Sequence, residues 1–227
     1  MKMKHYSVFR VHSSKIINWN DLRDEELELP YWMPASKDKY LTKVNAEKVS
    51  ESVLAMIEQI QKMGYTKVLS LGSGIAQTEY HIKQNSNLEV VVSDNTNSIE
   101  RLKEYQIFHD ALLIDIVKDD FPANEKTIVL LHRIDTEFDN EDFKLIFDKC
   151  KKLNVKHICV VPTNPLAYSI VLNEFKTFIL SIMKFKKRTF CGYARSKSSL
   201  IKLWFRYYKI VFEYNKEKPF YIIEAQN

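Results

Sequence analysis

The sequence predicts an α/β protein built on a mostly parallel sheet of about seven strands, with helices on both faces and an antiparallel C-terminal hairpin. Three observations carry this expectation. Short runs that are apolar almost throughout, such as Val68-Leu-Ser-Leu71 and Ile128-Val-Leu-Leu131, read as strands buried on both faces. They alternate with segments of helical periodicity about ten residues long, as helical crossovers between parallel strands require. The last two runs are separated only by Asn215-Lys-Glu-Lys218, a hairpin-sized connection.

Residues 1–44 read as irregular, mixing Trp19, Tyr31, Trp32 and Tyr40 with Pro30, Pro34 and the acidic run Asp24-Glu25-Glu26. From Asn45 to Met63, Val49, Val53, Met56, Ile57, Ile60 and Met63 recur at helical spacing, and Gly64 follows where a helix would stop. Lys67 to Leu71 is a strand that breaks into Gly72-Ser-Gly74; Thr78 to Gln84 continues as a helix. The β-branched run Leu88 to Ser93 is a second strand, bounded by Asp94-Asn95. Then come a helix at Ser98–Ile107, strands at Ala111–Ile116 and Thr127–Leu131, a helix at Glu141–Leu153 and a strand at Lys156–Val161, stopped by Pro162. A long helix is expected from Pro165 to about Met183, then a loop with Gly192, a helix at Ser198–Tyr207 and hairpin strands at Lys209–Tyr214 and Pro219–Glu224.

At 227 residues one core suffices, so a single domain is expected. It divides into 1–63 as an N-terminal extension and helix, 64–161 as a ligand-binding core, and 162–227 as an insertion helix with the hairpin. An apolar content of 45% and a charged content of 28% exclude disorder throughout. Cys150, Cys159 and Cys191 are odd in number and form no CxxC pair, which argues against a disulfide framework or a cysteine-based zinc site; no metal is expected. No stretch resembles a signal peptide, and the longest apolar one, Leu166–Met183, contains Asn173, Glu174 and Lys176, so a cytoplasmic protein without a transmembrane segment is expected. Charge is unevenly placed: residues 1–150 carry net −6 and residues 151–227 net +11. That basic third suits phosphate-bearing partners, or it is a solvated face that keeps the chain soluble.

Ligands of open α/β sheets bind beyond the carboxyl ends of the strands. The chain has only 4 glycines, and two of them, Gly72 and Gly74, stand one residue apart at such an end. They allow a sharp turn and close approach to a ligand, with a helix N-terminus following. Asp94 ends the next strand 22 residues after Gly72, close to the offset at which an acidic residue meets ribose hydroxyls. Turn and acid together suit an adenosine-containing ligand.

Val68-Leu-Ser-Leu-Gly-Ser-Gly-Ile-Ala-Gln-Thr-Glu79 resembles the first motif of the class I S-adenosylmethionine-dependent methyltransferases, an acidic residue followed by glycines at alternate positions. The likeness covers about residues 64–161 and implies a Rossmann-like fold with S-adenosylmethionine as cofactor. By resemblance Gly72 and Gly74, with Ser70 and Ser73 in the same turn, line its methionine and ribose parts. Asp94, beside Asn95, would hold the ribose hydroxyls, and Asp115-Ile116 would lie against adenine. Ser70 stands where the family usually has Asp or Glu, and Ala76 replaces the third glycine. A nicotinamide dinucleotide is the competing ligand; Gln77 stands in place of the last glycine of its GxGxxG fingerprint, which favours the methyl donor. No GxxxxGK[ST] phosphate loop occurs.

For the acceptor, the informative segment is Leu131-His-Arg-Ile-Asp135, at a strand end that by resemblance faces the transferred methyl. His132 would take a proton from a hydroxyl and Arg133 would clamp an anionic group, with Asp135 nearby; otherwise His132 bonds the backbone and Arg133 pairs with Asp135. Pro162-Thr-Asn-Pro165 is a polar, stiff strand end suited to lining the acceptor pocket. Trp32 and Tyr40 are either a lid over the substrate or packing against the sheet. Leu166–Arg188 is an acceptor-binding helix, a membrane-lying helix or a buried one. The leading expectation is methyl transfer to a small anionic acceptor such as a sugar or nucleotide-sugar, with O-methylation favoured. An RNA methyltransferase, suggested by the basic, aromatic-rich C-terminal third, and a cofactor-free interaction module, suggested by Ser70, are the alternatives.

Overall fold

A computed structural model of the chain describes residues 2–7, 20, 32–163, 179, 189–216 and 218–226. Its strands are β1 (Lys2–Ser7), β2 (Lys67–Leu71), β3 (Glu89–Asp94), β4 (Asp110–Leu113), β5 (Thr127–His132), β6 (His157–Val161), β7 (Thr189–Arg195), β8 (Tyr208–Tyr214) and β9 (Phe220–Ala225). The helices are α1 (Lys37–Asn45), α2 (Glu51–Lys62), α3 (Gln77–Gln84), α4 (Ser98–Tyr105), α5 (Asn140–Lys152) and α6 (Lys197–Trp204), with a 3-10 turn at Ile134–Thr136. Seven strands form one sheet in the order β4-β3-β2-β5-β6-β9-β8. β4 through β6 are parallel, and β9 joins β6 antiparallel as part of the C-terminal hairpin, which is the predicted α/β architecture.

Two apolar layers cover this sheet, divided by the two-residue period of its strands. Val68, Val90, Val92, Ile128, Leu130, Cys159 and Ile222 face one layer, which α1 to α4 complete with Val44, Ile57, Ile60, Ile82 and Leu102. Leu69, Val91, Val129, Leu131, Ile158, Val160 and Ile223 face the other, against Phe143, Ile146 and Phe147 of α5 and Leu203 and Trp204 of α6. Burial on both faces is why these strands are almost wholly apolar in sequence.

Three expectations change. The helix foreseen from Asn45 to Met63 is the shorter α2, Glu51–Lys62: α1 ends at Asn45 and Ser50 is extended, so Val49 keeps the apolar periodicity but packs on the core from outside a helix. The irregular stretch 1–44 contains α1, with Ser36 accepting the Lys39 amide as its N-cap, and β1. The loop expected around Gly192 is instead β7, paired antiparallel with β1. In addition, β4 ends at Leu113, three residues before Ile116, and the Asp115 carboxylate accepts the Val117 and Lys118 amides and bends the chain into a turn. The helix expected from Pro165 to Met183 and the segment Lys184–Arg188 lie outside the described residues, apart from Ile179.

Among the described residues no helix is long and apolar enough to cross a membrane, and no His, Cys, Asp and Glu cluster suits a metal ion. Cys150 and Cys159 are buried free thiols, each raised in pKa by burial.

Candidate functional site

β2 pairs with β3 on one side and β5 on the other, so the crossovers leave the sheet in opposite directions around its carboxyl end and open a crevice there. Into it runs the turn Gly72–Ala76. Gly72 has φ +75° and Gly74 φ +60°, conformations that glycine adopts without steric cost. Space imposes a second requirement at Gly72, where a Cβ would lie 2.7 Å from Ile134 Cγ2. Ala76, in the third glycine position, keeps φ +56° while carrying a methyl group.

Neighbouring elements hold the turn from all sides. The Ser73 amide donates to the Ser93 carbonyl at 2.8 Å and the Gly74 amide to Asp94 Oδ2 at 2.7 Å. Ser98 Oγ at the start of α4 donates to the Gly74 carbonyl at 3.0 Å, and the Tyr40 hydroxyl of α1 to the Ile75 carbonyl at 3.0 Å. Ser73 Oγ is buried and has no hydrogen-bond partner among the described residues. Asp94 thus lies where expected, directly across from the glycines, with one oxygen closing the turn. Asn95 beside it is exposed, and the N-terminal segment reaches this strand end through Asn20, whose Oδ1 accepts the Asn97 amide at 2.7 Å.

Asp115 and Ile116 follow β4, the edge strand next to β3. Ile116 is buried in the second apolar layer, and Asp115 is half-buried, its pKa lowered on balance by Lys118 and the backbone amides against the opposing effect of burial. Ser70 is fully buried at the end of β2 and donates to Glu79 Oε1 of α3 at 2.6 Å. Sequence reasoning missed Glu79. Its side chain is 0% exposed, its Oε2 has no hydrogen-bond partner among the described residues, and burial pushes its carboxyl up to about 7. The signal was present in the sequence as the absent acid at 70 and an acid just beyond the turn.

His132 ends β5 facing α3, with Nε2 3.5 Å from Thr78 Oγ1. Burial first, then the charges of Arg133 and Lys218, push its pKa down to about 3, so it stays neutral near pH 7. The proton transfer from a hydroxyl to His132 expected from the sequence therefore has little driving force. Lys218 belongs to the β8–β9 hairpin tip and was also missed, because nothing in sequence places that tip beside β5. Arg133 is exposed at φ +58°, its amide donating to the Val161 carbonyl at 2.8 Å.

Asp135 departs from the expected acceptor role. It is 1% exposed and accepts the Thr163 amide at 2.8 Å, and burial raises its carboxyl to about 6. Buried Arg195 of β7 donates to the Asp135 carbonyl, to the Phe138 carbonyl at 2.6 Å and to Asn140 Oδ1 at 3.1 Å, fixing the segment after β5. Tyr40 forms no lid: it is 0% exposed beneath the glycine turn, with its ring against Tyr80 and Tyr105. Trp32 is half-buried at α1, with Lys43 Nζ 4.0 Å from its ring centroid. The structure therefore brings together Ser70, Gly72, Ser73, Gly74, Asp94 and His132, and leaves Tyr40 and Asp135 in supporting positions.

No protein-family model and no curated protein matches the chain in sequence. Solved structures match its fold. Human N-acetylserotonin methyltransferase in complex with S-adenosylmethionine superposes with TM-score 0.57 at 15% identity, over 85% of this chain and 56% of that one. Magnesium protoporphyrin IX methyltransferase from Synechocystis PCC 6803 with bound S-adenosylhomocysteine gives 0.54 at 10% identity, over 89% and 99%. The pyocyanin biosynthetic protein PhzM gives 0.56 at 14% identity over 71% of this chain, which spans 50% of that protein. The chain has the fold of the class I S-adenosylmethionine-dependent methyltransferases.

Proposed function

We propose that the chain transfers a methyl group from S-adenosylmethionine to a small anionic acceptor, with an oxygen acceptor favoured. The observation that carries this reading is the juxtaposition of the Gly72–Gly74 turn with Asp94 at the sheet's switch point. The residues fit the cofactor. The glycines take the left-handed backbone that brings the turn against Asp94, Asp94 Oδ1 accepts no bond among the described residues, and Ser73 Oγ is a buried hydroxyl without a partner among them.

Bound there, S-adenosylmethionine would supply an electrophilic methyl group, and the chain's task would be positioning. Asp94 would accept the ribose hydroxyls through Oδ1 while Oδ2 keeps the turn closed. Neutral His132 would accept a hydrogen bond from an acceptor hydroxyl and aim its oxygen at the methyl group; at about 3 its pKa gives little driving force for full proton abstraction. Arg133 and Lys218 supply positive charge around the end of β5, which favours an anionic acceptor. The magnesium porphyrin and N-acetylserotonin of the matching proteins are aromatic acceptors, so their likeness to this chain supports the reaction class and not the acceptor.

Titration calorimetry and thermal denaturation with S-adenosylmethionine and S-adenosylhomocysteine test the reading. Binding of both, with a rise in Tm that grows with ligand concentration, is expected. No heat and no thermal shift at millimolar ligand would overturn it in favour of a cofactor-free module. Steeply salt-dependent RNA binding would instead favour a nucleic-acid acceptor.

A further inference from the structure

We propose that Glu79 is the buried counter-ion of the glycine turn, a carboxylate delivered from α3 in place of one on β2, and that it gives up a proton when a ligand bearing an ammonium group settles on the turn. This rests on the cofactor reading above and extends it to a residue that reading does not use.

The geometry is specific. Ser70, the next-to-last residue of β2, carries an uncharged hydroxyl and donates its only proton to Glu79 Oε1 at 2.6 Å. Oε2 is left buried without a hydrogen-bond partner, and no basic side chain pairs with the carboxylate among the described residues. A fully buried acid with one oxygen unsatisfied is costly as an anion without a cation and leaves a donor unmatched as a neutral acid. The groups facing it do not resolve this. Ser70 of β2 donates to one oxygen only, Asp94 of β3 opposes ionisation by its like charge, and Tyr40 of α1 is kept protonated by burial. A cation on the turn is what the pocket lacks. Its arrival would favour the ionised form, the Oε2–H bond would break, and the proton would pass to buffer.

The carboxyl of the unliganded chain lies near 7, so the effect falls in an accessible range. Titration with S-adenosylhomocysteine, which carries the ammonium group, is run in two buffers of different ionisation enthalpy. At about pH 6.5, release of roughly half to one proton per ligand is expected, falling toward zero by about pH 8, where Glu79 is already ionised. Adenosine, which lacks the amino-acid tail, is expected to bind with no release. Glu79→Gln, which keeps an acceptor for Ser70, is expected to bind S-adenosylhomocysteine without release and at least tenfold more weakly. Equal release by wild type and Glu79→Gln, or binding by wild type with no buffer-dependent heat at about pH 6.5, would overturn the proposal while leaving the cofactor reading intact. Absence of any binding would overturn the cofactor reading itself. If Glu79→Gln does not fold, the wild-type pH series and the adenosine comparison decide the question alone.

Discussion

The Gly74 amide donates to Asp94 Oδ2 at 2.7 Å, so one carboxylate both closes the turn and faces the crevice. The two tasks are separable by substitution. Asp94→Asn retains an oxygen for the Gly74 amide and loses the second acceptor, whereas Asp94→Ala loses both. Asp94→Asn should weaken S-adenosylhomocysteine binding about tenfold or more, the scale of a charged hydrogen bond, with little change in Tm. Asp94→Ala should lower affinity and stability together. Calorimetry and thermal denaturation of both variants check this, and unchanged affinity in Asp94→Asn would show that the ribose lies elsewhere.

Gly72 meets two constraints that can also be separated. A side chain there must adopt φ +75° and approach Ile134 Cγ2 to 2.7 Å. Gly72→Ala should therefore destabilise by about 2–4 kcal/mol, combining left-handed strain with overpacking. Ile134→Ala makes room for the new methyl group without relieving the backbone. In a double-mutant cycle measured by urea unfolding, the paired substitutions should cost less than the sum of the single ones by about 1 kcal/mol. Strict additivity would mean that the steric approach contributes nothing.

What the sequence made legible follows from locality. The strands of the central sheet and the hairpin were readable because each is an apolar run flanked by turn residues, and the Gly72, Gly74 and Asp94 constellation because spacing alone encodes it. β7 was not, because its partner β1 lies at the other end of the chain and Gly192 in its middle reads as punctuation. α1 was masked by the aromatics and prolines before it, and its buried face consists of little more than Tyr40 and Val44. Within the site, Glu79 reads in sequence as an ordinary first-turn acid favoured by the helix dipole. Only the folded turn shows that it points back to Ser70 and into the interior. Asp135, placed with the acceptor from its position just after a strand, is instead buried, and Arg195, 60 residues later, donates to its backbone carbonyl, a partner that spacing does not reveal.

Glu79 should also be visible in the pH dependence of the unliganded chain. Its carboxyl is raised from 4.5 to about 7, so between those values the unfolded chain has lost a proton that the folded chain retains. Stability must then fall as pH rises through that window, by an amount of order 3 kcal/mol once pH exceeds the folded value. Glu79→Gln cannot titrate, so any constant cost of the amide is the same at every pH and the difference from wild type isolates the carboxyl. The stability of Glu79→Gln relative to wild type should rise from about pH 5 to pH 8 in urea unfolding. Parallel profiles would show that Glu79 is ionised in the folded chain across the whole range. Near-saturating S-adenosylhomocysteine should flatten the wild-type slope, since the ligand favours the ionised form.

Arg195 supplies the last test, because it couples the β1–β7 ribbon to the segment that carries His132. Its guanidinium donates to the Asp135 carbonyl, the Phe138 carbonyl and Asn140 Oδ1, and all three acceptors follow β5. A lysine keeps the charge but cannot reproduce the planar fork, and a methionine leaves the carbonyls without donors. Arg195→Lys should cost about 1–3 kcal/mol and Arg195→Met more, because orphaned buried acceptors carry their full desolvation cost. If the fork also sets the position of His132, exchange of the amides of residues 133–139 should accelerate in Arg195→Lys while that of β2 and β3 is unchanged, with S-adenosylhomocysteine affinity retained. The Asp94 side of the crevice is held from β3 and α4, through the Gly74 amide and Ser98 Oγ. Uniform acceleration across the sheet would mean that Arg195 supports global stability and not the geometry at the end of β5.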